Sequence, residues 1–155
     1  MNYWLFKTEP GTYAWEDLVR DGATCWEGVR NYQARNILRD DVRLDDLVFV
    51  YHSVVKPQVI AGIATVVKES YPDHFATDPS SPYFDSKASP KDPRWVMVDI
   101  EPVRSINPPI TRDELKKVSE LEDMMLLKRG SRLSVQPVSG TEAAAILALR
   151  GIDLS

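Results

Sequence analysis

The first third of the chain alternates between apolar and polar residues in ways that predict two strands and two helices. Residues 3–7 are rich in aromatic side chains and predict a strand, with Tyr3, Leu5 and Lys7 on one face. A short helix is expected after Thr12, its N-cap, and a second after Asn31. Residues 47–52 predict a strand in which Phe49 and Tyr51 share a face and Val48, Val50 and His52 share the other.

The remaining pattern predicts three more strands and three more helices around one long loop. Strands are expected at residues 59–69, 95–103 and 132–138, and Gly62 inside the first indicates a bulge or bend. Helices are expected where Thr111 with Glu114, Ser119 with Glu122, and Ser139 with Glu142 fit capping boxes. Residues 70–93 contain prolines 72, 79, 82, 90 and 93 and predict a functional or mobile loop.

This mixture of strands and helices has no regular βαβ repeat. It therefore predicts an α+β protein built around a curved sheet or small mixed β-barrel that is decorated with helices. At 155 residues the chain is expected to form a single domain, residues 1–155, with a core of its own.

Composition narrows the function classes. The net charge of −4 argues against an indiscriminate coat for nucleic acid, although arginines cluster locally before Asp40. One cysteine excludes a disulfide framework, and with only two histidines the composition argues against a metal centre; we predict no metal and no cofactor. The absence of a long apolar run predicts no membrane span, and we expect a cytoplasmic protein, nucleoid-associated or, in a eukaryote, nuclear.

The segment from Cys25 to Asn36 carries the most distinctive chemistry. It combines the aromatic faces of Trp26 and Tyr32 with amide side chains and two arginines, which suits a planar polar ring held by stacking and edge hydrogen bonds. The structural alternative is a loop that leads into a helix, with Asn31 as N-cap and Trp26 in the core. Both interpretations stay open at this point.

Other segments supply further candidates for a pocket that binds one base. Such a base must be single-stranded or flipped out of a duplex, and a tight aromatic cage would favour an added methyl group. Trp26 would stack, and Tyr83 and Trp95 are candidates for a second aromatic wall. Polar contacts are expected from these residues: Lys7, Glu27, the backbone of Gly28 and Val29, Asn31, Tyr51, Ser53, Arg132 and Ser134. Phosphate contacts are expected from Arg30, Arg35 and Arg39.

Enzymatic interpretations are weaker. Cys25 and His52 could form a nucleophile pair, but no activated-thiol motif surrounds the cysteine, and no phosphate-binding loop is present. The tripeptide Lys7-Thr8-Glu9 offers an amine, a hydroxyl and a carboxylate at a strand end. Alternation along a strand is expected to point neighbouring side chains apart. We predict no catalytic residues.

Several motifs resemble the EVE domain, in order along nearly the whole chain. They are YWLFKTEP (3–10), WEGVRNYQARN (26–36), YHS (51–53), PRW (93–95) and GSRLSVQPV (130–138). The resemblance implies a PUA-like fold, kinship with YTH domains and a non-catalytic reader of a modified cytosine or adenine. It also adds Thr8, which follows Lys7 as a small polar residue does in YTH domains, to the expected pocket.

Two further expectations follow from that resemblance. Glu27 stands where YTH domains have a small polar residue, and a carboxylate would accept a hydrogen bond from an exocyclic amine. The alternative function is an ASCH-like small hydrolase that acts on a modified nucleoside or RNA through Lys7, Thr8 and Glu9. The expected partner is DNA or RNA carrying a modified base, and the expected state is a monomer.

Overall fold

A six-stranded mixed sheet organises the chain in a computed structural model that describes residues 1–154. The strands lie in the order β2-β5-β4-β3-β1-β6. Their bounds are β1 Tyr3–Thr8, β2 Thr24–Cys25, β3 Leu47–His52, β4 Val59–Pro72, β5 Val96–Thr111 and β6 Val135–Val138. In the described part of the chain no ladder joins β2 to β6, so the sheet is open, and of the two predicted forms it is the curved sheet and not the closed barrel.

The direction of the strands places two strand ends together. β1 pairs in parallel with β3, from Tyr3 opposite Leu47 to Thr8 opposite His52, and every other ladder in the described sheet is antiparallel. Because parallel strands end at the same edge of a sheet, the residues after Thr8 and after His52 leave at one edge. This edge carries the candidate site.

The sheet separates two apolar clusters, one on each face. Trp4, Phe6, Val48 and Val50 pack on one side with the helices that follow β1 and β2. Phe49 and its neighbours pack on the other side with the helices that follow β5 and β6. The predicted alternation of residues along β3 is therefore confirmed.

The helices are short, and their starts follow local capping. They are α1 Trp15–Asp21, α2 Tyr32–Asp40, α3 Arg112–Lys116 and α4 Gly140–Ala148. Asn31 Oδ1 accepts from the Ala34 amide, and Thr111 and Ser139 form the predicted capping boxes. The N-cap of α1 is Ala14, whose amide donates to Asp17 Oδ2, so the prediction of Thr12 as the cap was wrong.

Four other expectations need correction. Residues 119–127 form two 3-10 turns, Ser119–Leu121 and Met125–Leu127, in place of a capped helix. Their tighter spacing still buries Leu121, Met124 and Leu126. The last strand begins at Val135, and β5 extends to Thr111. β4 continues to Pro72, and a 3-10 turn at His74–Thr77 opens the long loop.

Gly62 marks an irregularity in the sheet, as its position in a strand predicted. The register of β4 against β5 shifts between Ile60 and Gly62. The indole of Trp15 lies directly against Gly62, where a Cβ atom would overlap the ring. Close approach of α1 to the sheet thus requires glycine here, and the shift contributes to the curvature.

Candidate functional site

A cavity of about 440 Å³ opens at the sheet edge where β1 ends. Small-molecule sites in proteins commonly occupy about 300–1,000 Å³. Polar and aromatic side chains from four separate segments line it: Lys7, Thr8, Glu9, Thr12, Tyr13, Thr24, Cys25, Trp26, Glu27, Gly28, Val29, Tyr83 and Ser134. The cavity therefore brings together many of the residues that the sequence indicated for a base pocket.

Trp26 forms one aromatic wall, and core contacts hold its ring. Its indole is 8% exposed, with the Phe6 ring centroid 5.5 Å away at a tilt of 41°. Tyr13 meets it edge-on at 6.4 Å. The Trp26 amide donates to Val98 O at 2.7 Å, which ties the segment after β2 to the sheet. Trp26 thus belongs to the core and to the cavity lining at once.

Tyr83, from the long loop, supplies a second aromatic ring to the cavity lining. Its ring packs directly on Gly28, which has a φ of +83° and no side chain to obstruct the contact. Arg30 holds the backbone of Tyr83, because Arg30 Nε and Nη2 donate to Tyr83 O at 3.1 and 2.8 Å. The loop is therefore anchored against the 26–30 segment.

A buried carboxylate holds this arrangement in place. The Asp73 side chain is fully buried; its Oδ2 accepts from the Gly28 amide at 3.1 Å and from Arg30 Nη1 at 3.0 Å. Its Oδ1 accepts from the Phe75 amide at 3.0 Å. One side chain thus joins the end of β4, the loop and the cavity wall.

The polar groups of the lining differ in what they can offer a ligand. Lys7 Nζ makes a long contact to Ser131 O at 3.5 Å, and burial followed by the charge of Arg112 lowers the pKa of this amine. Within residues 1–154, the Glu27 carboxylate accepts only from Cys25 Sγ, at 3.5 Å. Thr8 Oγ1 is committed, since it donates to Tyr13 O at 2.7 Å. The lining therefore includes a carboxylate acceptor at Glu27, whereas the β1–β3 ladder sets the Lys7 side chain beside Tyr51, on the face of the sheet away from Trp26.

Five of the residues predicted for the pocket lie outside this cavity. Asn31 caps α2, and Ser53 is linked to the cavity only indirectly, because its amide donates to Thr8 O. Tyr51 is buried on the opposite face of β3, where it donates to Gln58 Oε1 and burial raises its pKa to about 12. Trp95 stacks on Tyr32 and donates to Asp85. Arg132 is exposed near the rim.

The three arginines predicted to contact phosphate are occupied within the protein. Arg30 binds Asp73 and the Tyr83 carbonyl. Arg35 donates to Arg94 O at 3.1 Å and lies over the Tyr32 ring at 4.7 Å. Arg39 pairs with Asp40 at 2.8 Å on the surface. Arg30 thus holds a wall of the site, and Arg35 packs on Tyr32 outside the cavity, which are different roles from the one their charge suggested.

Several lining residues were not indicated by the sequence: Glu9, Thr12, Tyr13, Thr24 and Cys25. Glu9 and Cys25 had been considered only for catalysis. Tyr13 could have been predicted from the sequence, because an aromatic residue in the turn directly after a strand can line a cavity at the end of that strand. Thr12 and Thr24 have no such pattern, since small polar residues are common in any turn.

The cysteine–histidine pair is not formed. His52 Nε2 accepts from the Trp15 amide at 2.9 Å, and Cys25 Sγ faces Glu27. Burial, followed by the charge of Glu27, raises the pKa of the Cys25 thiol to about 11. At neutral pH the sulfur is therefore protonated and a poor nucleophile.

Two kinds of feature are absent from the described residues 1–154. No group of three or more histidine, cysteine, aspartate or glutamate side chains is placed to hold a metal ion. None of the helices in this part of the chain has the length and apolar character needed to cross a membrane.

A curved mixed sheet, helices on both faces and a polar, aromatic-walled cavity at one sheet edge define a PUA-like α+β protein. The family profile of the EVE domain matches residues 2–149. The chain belongs to the EVE domain family.

Named relatives extend this result. Mouse thymocyte nuclear protein 1 is 41% identical over 173 residues, which cover 99% of this chain and 76% of the mouse protein. The crystal structure of a protein from Pseudomonas syringae is 47% identical, with a TM-score of 0.92 over 96% of this chain and 99% of that one.

Two further structures bear on the choice of function. The human THYN1 protein, solved in complex with 5-methylcytosine-containing DNA, is 37% identical with a TM-score of 0.91, and 99% of each chain is covered. An ASCH protein from Zymomonas mobilis is only 10% identical, with a TM-score of 0.53 over 96% of this chain and 99% of that one. The second likeness concerns the fold alone.

Proposed function

We propose that this protein is a nucleic-acid-binding module that receives one modified base in the cavity between Trp26 and Tyr83. The observation that carries the proposal is a cavity whose lining combines two aromatic rings, Trp26 and Tyr83, with one nearly free carboxylate, Glu27. A base between aromatic rings must leave its stack, so the ligand is an unpaired or extruded nucleotide.

Stacking supplies the main attraction in this proposal. Contact between a base and an aromatic side chain contributes about 1–3 kcal/mol per base. Each ring is held before the ligand arrives, Trp26 by Phe6 and Tyr83 by Gly28 and Arg30, so little ordering is required on binding. A methyl group in such a cavity would add about 1 kcal/mol, roughly fivefold in affinity.

The Glu27 carboxylate defines the edge of the preferred base. It is suited to accept a hydrogen bond from an exocyclic amine. Cytosine and adenine carry such an amine, whereas thymine and uracil lack it. The cavity therefore favours an amino-bearing base.

The complex of the human relative with 5-methylcytosine-containing DNA supports a modified cytosine in DNA as the first ligand to test. The alternative ligand, N6-modified adenine in RNA, shares the amine and differs in the 2′-hydroxyl of its strand. Binding as a monomer in the compartment that holds the nucleic acid remains our prediction for this chain.

In this proposal, exposed cationic side chains beside the cavity mouth contact the phosphates. Lys128, Arg129 and Arg132 are exposed, and they have no ion-pair partner among residues 1–154. Ser131, which lies between them, contacts Lys7. Lys56 and Arg112 stand at the same edge, so a cationic rim lies beside the cavity although the protein is acidic overall.

Removing two charges from this rim should weaken binding to every sequence alike. Binding constants are plotted as their logarithm against the logarithm of the salt concentration. For Arg129→Ala combined with Arg132→Ala, we expect the magnitude of this slope to fall by about 1 for each phosphate that is no longer neutralised. Fluorescence anisotropy of a labelled duplex at several salt concentrations measures this slope. The matched control is Arg39→Ala, a surface arginine paired with Asp40, which should leave the slope unchanged. An unchanged slope in the double variant would remove the rim from the proposal.

The second candidate is hydrolysis through Lys7, Thr8 and Glu9. All three are among the lining residues, but the β1–β3 ladder pairs Lys7 with Tyr51 and Thr8 with His52, so the Lys7 and Thr8 side chains leave the strand on opposite faces, as alternation predicts. The Thr8 hydroxyl donates its hydrogen to Tyr13 O and not toward Lys7. This contact favours a binding role over a nucleophile for Thr8.

A further inference from the structure

The turn between β3 and β4, residues 53–58, stands beside the cavity mouth. Ser53 begins it, and its amide and hydroxyl both donate to Thr8 O, at 2.9 and 3.3 Å. Thr8 lines the cavity. Because β1 and β3 are parallel, the turn leaves the sheet at the same edge as the cavity.

The tip of this turn is apolar, exposed and strained. Val54 is 71% exposed, and its neighbour Val55 is also exposed. The φ of Val54 is +70°, and it is the β-branched residue among the three non-glycine residues with positive φ in the described chain. A β-branched side chain is a strong outlier in this region, where glycine or asparagine would be expected. Folding alone gives no reason for valine at this position.

The surroundings of the tip are cationic. Lys56 follows in the turn and is exposed. At the far end of the turn, the Arg112 amide donates to Gln58 O, and the Arg112 charge acts on Lys7. An apolar tip flanked by positive charges fits a polyanion with an apolar interior, which describes a base-paired duplex.

We propose that Val54 is a wedge that enters the base stack of a duplex and fills the space vacated by the base held in the cavity. This proposal rests on the proposed function. Apolar side chains inserted at base steps are a general means of stabilising opened or kinked DNA. The side chain must project from a fixed backbone to do this, which accounts for a strained valine at an exposed tip.

The test exploits the opposite effects that Val54→Asn should have on stability and on binding. Asparagine tolerates positive φ, so the melting temperature should stay equal to that of the wild type or rise. Affinity for a duplex with one central 5-methylcytosine should fall about tenfold, because the apolar wedge is removed. Affinity for a single strand of the same sequence should stay unchanged, because no space has to be filled.

Two further measurements separate this proposal from the proposed function. Leu44→Asn is the matched control, since Leu44 is 52% exposed in the turn before β3, at the other edge of the sheet, and duplex affinity should not change. With 2-aminopurine placed next to the 5-methylcytosine, fluorescence should rise when wild type binds and rise less with Val54→Asn.

Each outcome decides a different point. Equal losses of affinity for duplex and single strand, or no loss for either, would overturn the wedge. In both cases the cavity would remain the proposed binding site as long as wild type prefers the modified base. Failure of the wild type to bind either oligonucleotide would instead overturn the proposed function itself, and the wedge with it.

Discussion

Replacing Asp73 with alanine should lower the free energy of unfolding by about 3–5 kcal/mol, because it leaves a buried charge unpaired. Arg30 would lose its carboxylate partner while its guanidinium stays largely covered. The Gly28 and Phe75 amides would lose an acceptor in the same substitution. Buried donors without partners add to the destabilisation.

Urea unfolding followed by tryptophan fluorescence measures this effect. Asp40→Ala is the control, since Asp40 and Arg39 form an exposed ion pair that should contribute at most about 1 kcal/mol. If Asp73→Ala were as stable as Asp40→Ala, the carboxylate would not be the group that holds the cavity wall. We also expect the Asp73 variant to bind more weakly, since Tyr83 would no longer be fixed against Gly28.

Replacing Trp26 with leucine should weaken binding of a modified base by about 5- to 150-fold, which corresponds to the stacking energy of about 1–3 kcal/mol. Preference for 5-methylcytosine over cytosine should shrink as well, because leucine presents no flat face to the ring. Titration of duplexes that differ only in the methyl group measures both quantities.

Stability has to be separated from binding in this variant, because Trp26 also packs in the core. Trp15→Phe is the matched control, because Trp15 is buried in the same cluster, packs on Gly62 and does not line the cavity. Both variants should unfold more easily than wild type, but only Trp26→Leu should lose affinity. Equal affinities for the two variants would mean that Trp26 serves the fold alone.

The fold was accessible from the sequence wherever local pattern and tertiary packing agree. Alternation along β3 assigned Phe49 and Val50 to opposite faces, and Asn31, Thr111 and Ser139 marked helix starts through their own hydrogen bonds. The 119–127 segment shows the limit. The spacing of its apolar residues fits an α-helix and two 3-10 turns equally well. The capping pattern at Ser119 could not distinguish these two structures.

The site was accessible in part for a similar reason. Trp26, Glu27 and Gly28 are adjacent in sequence and stay together in the cavity lining. Tyr51 and Ser53 were predicted to reach the pocket from one face of β3, but the Tyr51 side chain packs with Phe49 on the face away from Trp26. The partner of a charged side chain depends on residues that folding brings together from distant parts of the sequence. The ion pair between Arg30 and Asp73 therefore could not be inferred from the clustering of arginines.

The methyl resonance of the ligand reports whether one modified base lies between the aromatic rings of the cavity. A duplex with a single 5-methylcytosine, labelled with ¹³C at its methyl group, can be titrated with the protein and followed by NMR. A methyl group enclosed by aromatic rings should move upfield on binding, and Trp26→Leu should abolish most of that shift. If the methyl resonance of a saturated complex stays at the position of the free duplex, the methylated base does not bind between the aromatic rings of the cavity.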